Sequence, residues 1–443
     1  MEKAILLALD GFSWNLINEL INNNKMKHLK SIINKGVSSK LIAEGFLSSP
    51  KIFCSIFTGK IPEKHGIRDF YSKESDLNSE QIWDILESNR YKIGLYRPLS
   101  VWKAKEYDGF CIPNPLLLKK STFPEELNFI GDLDIKARSE AYSLKFLMKT
   151  FWKLIKFHFP LTPLFKITRR AMLLFFKKGL QERIHLLKEI ELIIHSNLYL
   201  KLLKKFELDF SVFFDYSFDT LSHIYWRDKG EASKYEKILP NAYKIVDHFI
   251  GKVNKIAQKD NYYLVICSDH GFESIKKEDR QDYRAINTLY LLRELNYYYD
   301  IYGIYMRGKV VFRVRPNSKL ALKEFKNALE FLHYESEPLF EIKAYTKKLI
   351  VRINQSINLI PTLKIDFPNG KKLRVDSIID FNPAHTGDHS KDNGVFIIYG
   401  PKVKKGLRIG DITPYDITPT ILRLLNIELP PDIDGKVLEE LLE

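Results

Sequence analysis

Short apolar runs separated by amphipathic stretches give the first expectation for this chain. KAILLAL, YKIGLY, DFSVFF, YYLVIC and GVFIIY are brief and nearly free of polar residues, the form taken by parallel strands that are buried on both faces. Between them, SWNLINELI and TPTILRLLNIEL bring apolar side chains round every three or four residues, which predicts helices with one buried face. The alternation predicts an α/β fold: a mostly parallel central sheet with helices on both faces. From residue 300 to 376 the pattern changes. KVVFRVRP, KKLIVRIN and KKLRVD alternate with period two around a helical stretch, LALKEFKNALEFL, so a smaller α+β insertion is expected there.

Residues 136–206 depart from the pattern differently. SLKFLMKTFWKLIKFHF is apolar or aromatic almost throughout, and Lys145, Lys149, Lys153 and Lys156 form a narrow basic stripe on it. Pro160 and Pro163 interrupt this stretch, and a second helical segment from about Ile167 to Phe206 carries Arg169, Arg170, Lys177 and Lys178. The expected organisation is a catalytic core in three pieces (1–135, 207–299 and 377–443), interrupted by a basic helical insertion at 136–206 and the α+β insertion at 300–376.

Charge sharpens this division. The 443 residues carry 69 Lys and Arg against 55 Asp and Glu, a net +14, and 45% hydrophobic residues exclude a disordered chain. Residues 136–206 hold 16 Lys and Arg against four acids, so the excess is concentrated in one segment on a nearly neutral core. A basic amphipathic element suits an anionic membrane surface, while a helical lid and an oligomer interface fit the same pattern. Nucleic acid is disfavoured, because no recognised module accompanies the charge. Cys54, Cys111 and Cys267 are odd in number and widely spaced, as buried free thiols are. No apolar run approaches the length of a spanning helix, and MEKAILLALDGFSW is broken by Asp10 with no small-residue cleavage site, so it reads as a strand. The expected location is the cytoplasm, at most peripheral to the inner membrane surface.

Polar residues just beyond the apolar runs are where an open α/β sheet gathers ligands. Asp10-Gly11 ends the first run; Asp219 and His223 follow DFSVFF; Asp269-His270-Gly271 closes YYLVIC; His385 and His389 precede GVFIIY. Each alone fits a turn, a cap or a helical ion pair. Together they supply the carboxylates and imidazoles that Zn²⁺ or Mn²⁺ takes. Ser48 and Ser49 stand before an apolar stretch that reads as a helix, and a serine there is either an N-cap or a nucleophile whose alkoxide the helix N-terminus and a cation stabilise.

ALDGFSW, SPKIFCSIFTGKIPEKHGI, DTLSHIYW, SDHGF, HTGDHSKDNGVFIIYGP and DITPTILRLLNIELPPDIDGKVL together resemble the alkaline phosphatase superfamily. The specific likeness is to its type I phosphodiesterase/nucleotide pyrophosphatase-like branch, with the phosphohydrolase/phosphomutase-like proteins. The resemblance implies an alkaline-phosphatase-like sheet and a metal-dependent phosphoric ester hydrolase working through a phosphoseryl intermediate. It also implies two divalent ions, zinc or manganese: Asp10, Ser49, Asp269 and His270 would surround one, and Asp219, His223 and His389 the other. Ser49, nine residues before Thr58 of the Thr-Gly pair, is spaced like the family's nucleophile. His65 matches a motif position without being a family ligand and reads as structural.

Two departures bear on substrate. Ser48-Ser49-Pro50-Lys51-Ile52 lacks the arginine that sulfatases need, which disfavours sulfate esters. Nucleotide pyrophosphatases resemble one another in an asparagine about five residues after the His-Gly-Ile histidine. Here Arg68, Asp69 and Phe70 occupy that region, leaving Lys51, Arg68 and His385 as candidate substrate contacts. The expected substrate is a phosphorylated small molecule or a lipid-linked phosphate ester, monoester or diester. Rival expectations are a phosphomutase or phosphotransferase of the superfamily, or a non-catalytic member that binds membrane or a partner through the basic insertion.

Overall fold

The computed structural model describes the chain except residues 46, 69, 71, 115–120, 132–150, 177–179, 227–235, 276–284, 299, 307–308, 315–319 and 381–385. It contains two compact units: Met1–Ser274 with Gly387–Glu443, and Ile275–Thr386.

In the first unit, the main-sheet strands are β1 (Lys3–Leu9), β2 (Val37–Leu41), β3 (Ile93–Tyr96), β4 (Gly109–Ile112), β5 (Phe210–Asp215) and β6 (Tyr262–Cys267). A two-stranded ribbon follows, β7 (Gly271–Ser274) with β8 (Gly387–Ser390), and then β9 (Gly394–Tyr399) and β10 (Leu407–Arg408) return to the main sheet. Its order is β10-β2-β9-β6-β1-β5-β3-β4. The helices used below are α1 (Trp14–Asn22), α2 (Lys27–Ile33), α3 (Ser49–Thr58), α4 (Leu161–Phe176), α5 (Leu180–Phe206), α6 (Ser217–Tyr225), α7 (Ile238–Asp260) and α8 (Ile417–Leu424).

The apolar runs read as strands because each serves two cores. Along β1, Ile5, Leu7 and Leu9 pack with α1, α2, α5 and α7. The intervening Ala4, Leu6 and Ala8 pack with α3 and α8 on the opposite face. Side chains that alternate between two dry layers leave no polar position in the run. Cys54, Cys111 and Cys267 are buried and free.

GVFIIY, expected to be parallel, runs antiparallel to both β6 and β2, whereas the other pairings in the sheet are parallel. The apolar run reports burial on two faces and carries no information on direction. The chain re-enters from the ribbon at the carboxyl end of β6 with no crossover helix, so β9 must travel back along its neighbour.

Helix α5, from the segment read as an insertion, shares the core cluster of β1, with Leu192, Leu198, Tyr199 and Leu202 fully buried. Lys145 and Lys149 of the basic stripe lie outside the described residues. Among the described residues, no helix is long and apolar enough to cross a membrane.

The second unit holds a four-stranded antiparallel sheet of Phe340–Tyr345, Lys348–Ile353, Lys309–Val314 and Ile301–Met306, with a helix at Leu322–Glu330. Phe312, Phe325, Leu329 and Val351 form part of its own core.

Candidate active site

β6, β1 and β5 are adjacent in the sheet, so the residues that leave their carboxyl ends arrive at one place. Asp10 follows β1, Asp269 and His270 follow β6, and α6 after β5 carries Asp219 and His223. The ribbon register sets His389 of β8 opposite Phe272 of β7. Gly11 allows the convergence: its φ is +71°, and a Cβ there would come within 2.9 Å of the Asp219 backbone. The Asp219 N–H donates to the Asp10 carbonyl at 3.1 Å.

Asp10, Asp269 and His270 form a fully buried triad. His270 Nδ1 lies 3.1 Å from the Gly271 carbonyl, which takes a proton on that nitrogen and leaves Nε2 as a bare acceptor. Nε2 stands 3.3 Å from Asp269 Oδ2 and 3.6 Å from Asp10 Oδ1. Neither His270 Nε2 nor Asp269 Oδ2 has a hydrogen-bond partner. Acceptors facing one another out of water repel, and a bound cation relieves them. Ser49, the first residue of α3, donates its hydroxyl to Asp10 Oδ1 at 3.3 Å.

Asp219, His223 and His389 form a second, partly open triad. Asp219 Oδ1 is 3.0 Å from His389 Nε2 and 3.3 Å from His223 Nε2, and the two Nε2 atoms are 3.0 Å apart. His223 Nδ1 lies 3.1 Å from the Gly387 carbonyl, so its Nε2 faces the cluster unprotonated when the ring is neutral. His270 Nε2 is 4.0 Å from Asp219 Oδ1, which joins the two triads.

The electrostatics follow from burial and crowding. Burial, then the Asp269 and Asp219 charges, push the Asp10 carboxyl well above its ordinary range. Burial raises Asp269 as well and lowers the His270 imidazole to about 4. Asp219 goes the other way: burial opposes its charge, but His223 and then His389 hold it well below the usual value. The donor chemistry fits cations: in each triad the ligand atoms lie within 4.8 Å of one another, and mixed carboxylate and imidazole sets suit Zn²⁺ and Mn²⁺.

The structure therefore brings Asp10, Ser49, Asp219, His223, Asp269, His270 and His389 together. Lys51 is one helical position past Pro50, and its ammonium donates to the Glu44 carbonyl at 3.2 Å; Arg68 is exposed, its N–H donating to Ser72 Oγ at 3.0 Å. No contact of either with the triads is found among the described residues, and His385 lies outside them. Ser48 is the N-cap residue of α3 but its side chain makes no capping bond. His65 is fully buried with both nitrogens paired, to Ser55 Oγ at 3.0 Å and to the Ile67 N–H at 3.1 Å.

Phe272 was not singled out by the sequence reading. Its ring stands edge-on to His223, His270 and His389 with centroids 5.0, 5.6 and 5.3 Å away, so one apolar plate sets three imidazoles. Its signal was its place in SDHGF, two residues after His270.

A family model described as Type I phosphodiesterase / nucleotide pyrophosphatase matches residues 4–353. The chain belongs to this family. Type I phosphodiesterases are hydrolases acting on phosphoric ester bonds, and the family implies phosphorylated substrates. The matched span contains six of the seven clustered residues, and His389 lies beyond it. Among solved structures, the chain is similar to murine ectonucleotide pyrophosphatase / phosphodiesterase 5, at 13% identity and a TM-score of 0.49. An inactive form of that murine protein in complex with AMP gives 13% and 0.48, and the human protein 13% and 0.47. In all three, the whole of each chain is covered. No curated protein sequence matches.

Proposed function

We propose that this phosphodiesterase-family member hydrolyses phosphate esters by transferring the phosphoryl group first to Ser49 and then to water. The observation that carries the reading is the Ser49 hydroxyl, hydrogen-bonded at 3.3 Å to a carboxylate of a buried triad whose His270 Nε2 and Asp269 Oδ2 have no partner. Asp10, Asp269 and His270 would hold one divalent ion, zinc or manganese, and Asp219, His223 and His389 the other. Such ions supply Lewis acidity, which offsets charge on the phosphoryl oxygens and acidifies a nearby hydroxyl or water.

The chain's own residues supply orientation. Asp10 fixes the Ser49 Oγ–H direction, leaving the oxygen's lone pairs free for attack, and α3 directs its N-terminal dipole at the developing negative charge. The Oγ–phosphorus bond forms as the ester oxygen leaves, and the serine proton ends on the departing alcohol. Water then displaces Oγ from phosphorus and returns a proton to it, completing hydrolysis. Substrates are phosphorylated small molecules or lipid-linked esters, for which Lys51, two residues after Ser49, and Arg68 are candidate contacts. Turnover of mono- and bis-nitrophenyl phosphate with added Zn²⁺ or Mn²⁺ tests the reading: hydrolysis of either ester supports it. A protein that binds the ions and turns over neither ester would instead be a non-catalytic member. Exchange of phosphate between sugar hydroxyls without release would mark a mutase.

A further inference from the structure

Helix α4 is apolar on two opposite sides. Leu164, Ile167 and Leu174 are buried in the core of the first unit. On the other side, Leu161, Phe165 and Met172 are 80%, 73% and 59% exposed. Their spacing of four and seven residues aligns them along one outward face. Trp152 and Ile155, just before this helix, are exposed too. An outward apolar face on a helix that also carries Lys166, Arg169 and Arg170 has the form of an interfacial helix. Apart from Met1, every exposed large apolar residue described in the first unit lies between 152 and 173.

Charge surrounds this face. Arg169 is exposed on α4, and a cavity of about 460 Å³ beside it is lined by Lys166, Arg169, Arg170, Lys244 and Lys252 with no carboxylate. Arg170 is paired with Glu189. No ion pair is found for Lys166, Arg169, Lys244 or Lys252 among the described residues. Burial, then the positive field of Lys166 and Lys204, draws the Lys252 ammonium below its ordinary value. A second cleft at the amino ends of the strands is mixed in charge, with Lys3, Lys92, Lys204, Lys255 and Lys259 beside Glu207, Asp209 and Asp260, so the carboxylate-free cluster is confined to the cavity beside α4. The triads lie at the opposite, carboxyl ends.

We propose that the outward face of α4, with Trp152 and Ile155 of the short helical segment before it, docks on an anionic phospholipid surface, its apolar side chains entering the headgroup boundary while the adjacent cavity receives lipid phosphates. Apolar anchors, an interfacial tryptophan and unpaired cations on one face match a charged bilayer. An acidic protein would match the cations but would leave less reason for a tryptophan and three large apolar side chains to project beyond them. The inference goes beyond the phosphoryl chemistry and does not depend on it.

The test is co-sedimentation of the full chain with vesicles of phosphatidylcholine, with and without about one third phosphatidylglycerol. The wild type should pellet with the anionic vesicles and much less with the neutral ones, and salt should weaken the binding. Phe165→Ser with Met172→Ser should lower the partition coefficient about tenfold or more. Lys166→Gln and Arg169→Gln should lower it about fivefold each. These positions face solvent, so the variants should melt with the wild type and hydrolyse nitrophenyl phosphate at its rate. Absence of vesicle binding at low salt overturns the proposal. So does binding that the Phe165/Met172 variant retains in full, or dimerisation through this face without vesicle binding. Protection by inorganic phosphate alone, without vesicle binding, would mark a free-anion site and overturn it as well.

Discussion

The two triads are built from the same kinds of residue but differ in what surrounds them. Asp10, Asp269 and His270 are sealed at the strand ends, and two carboxylates and a lone pair face each other with orphaned atoms. Asp219, His223 and His389 sit on a helix and a ribbon, half open, and bond one another. In the first, burial raises both carboxyls and leaves Asp269 Oδ2 and His270 Nε2 without a partner; in the second, the single carboxylate is shared by two imidazoles. On the proposed reading, the buried triad should bind an ion more tightly and govern Ser49, while the open one should exchange its ion more readily.

The largest expected effect falls on the nucleophile. Ser49→Ala should cost about a thousandfold or more in turnover while metal content stays near the wild-type level. Wild-type turnover in that variant would detach the serine from the buried triad. Next, Asp269→Asn should release the buried ion and lower activity about a hundredfold or more, beyond rescue by added metal. His223→Ala should lose activity that excess Zn²⁺ or Mn²⁺ partly restores. Equal rescue of both variants would erase the distinction between the triads. Phe272→Ala, which removes the plate behind three imidazoles, should weaken metal affinity about ten- to a hundredfold without removing a ligand.

These contrasts also show what could be read from the chain. Asp10, Asp219 and Asp269 were legible because strand ends converge in this class of sheet, so short polar signatures after apolar runs gather in one place; His389, before the run that becomes β9, reaches them through the ribbon. Phe272 was not, since an aromatic beside a histidine says nothing about which other rings it will meet until the ribbon register is known. The direction of β9 was likewise hidden, because burial on two faces makes parallel and antiparallel strands look alike. The basic segment reads as an insertion from its charge; where its apolar residues go was not legible, and among the described residues those of α5 join the core of β1 while Trp152, Ile155 and the outward face of α4 are exposed.

The smallest expected effect separates a ligand-like histidine from a structural one. Both His270 and His65 are buried, but His65 has partners on both nitrogens. Burial lowers its imidazole from 6.5 to about 4. The folded state thus prefers neutral His65: its contribution is complete above pH 6.5 and is lost as pH falls through 4. Metal-free wild type should lose about 2 to 3 kcal/mol more than His65→Gln over that interval, read from denaturant melts. No difference would place His65 in water in the unliganded protein.

The central claim, a covalent step at Ser49, is met most directly by acid-quenching the metal-loaded protein during turnover of nitrophenyl phosphate and measuring its intact and peptide masses. The account predicts one added phosphoryl group, on the peptide that begins α3 and at Ser49 itself, absent from Ser49→Ala. Phosphate on Ser48, or full turnover by Ser49→Ala with no phosphorylated protein, would contradict it.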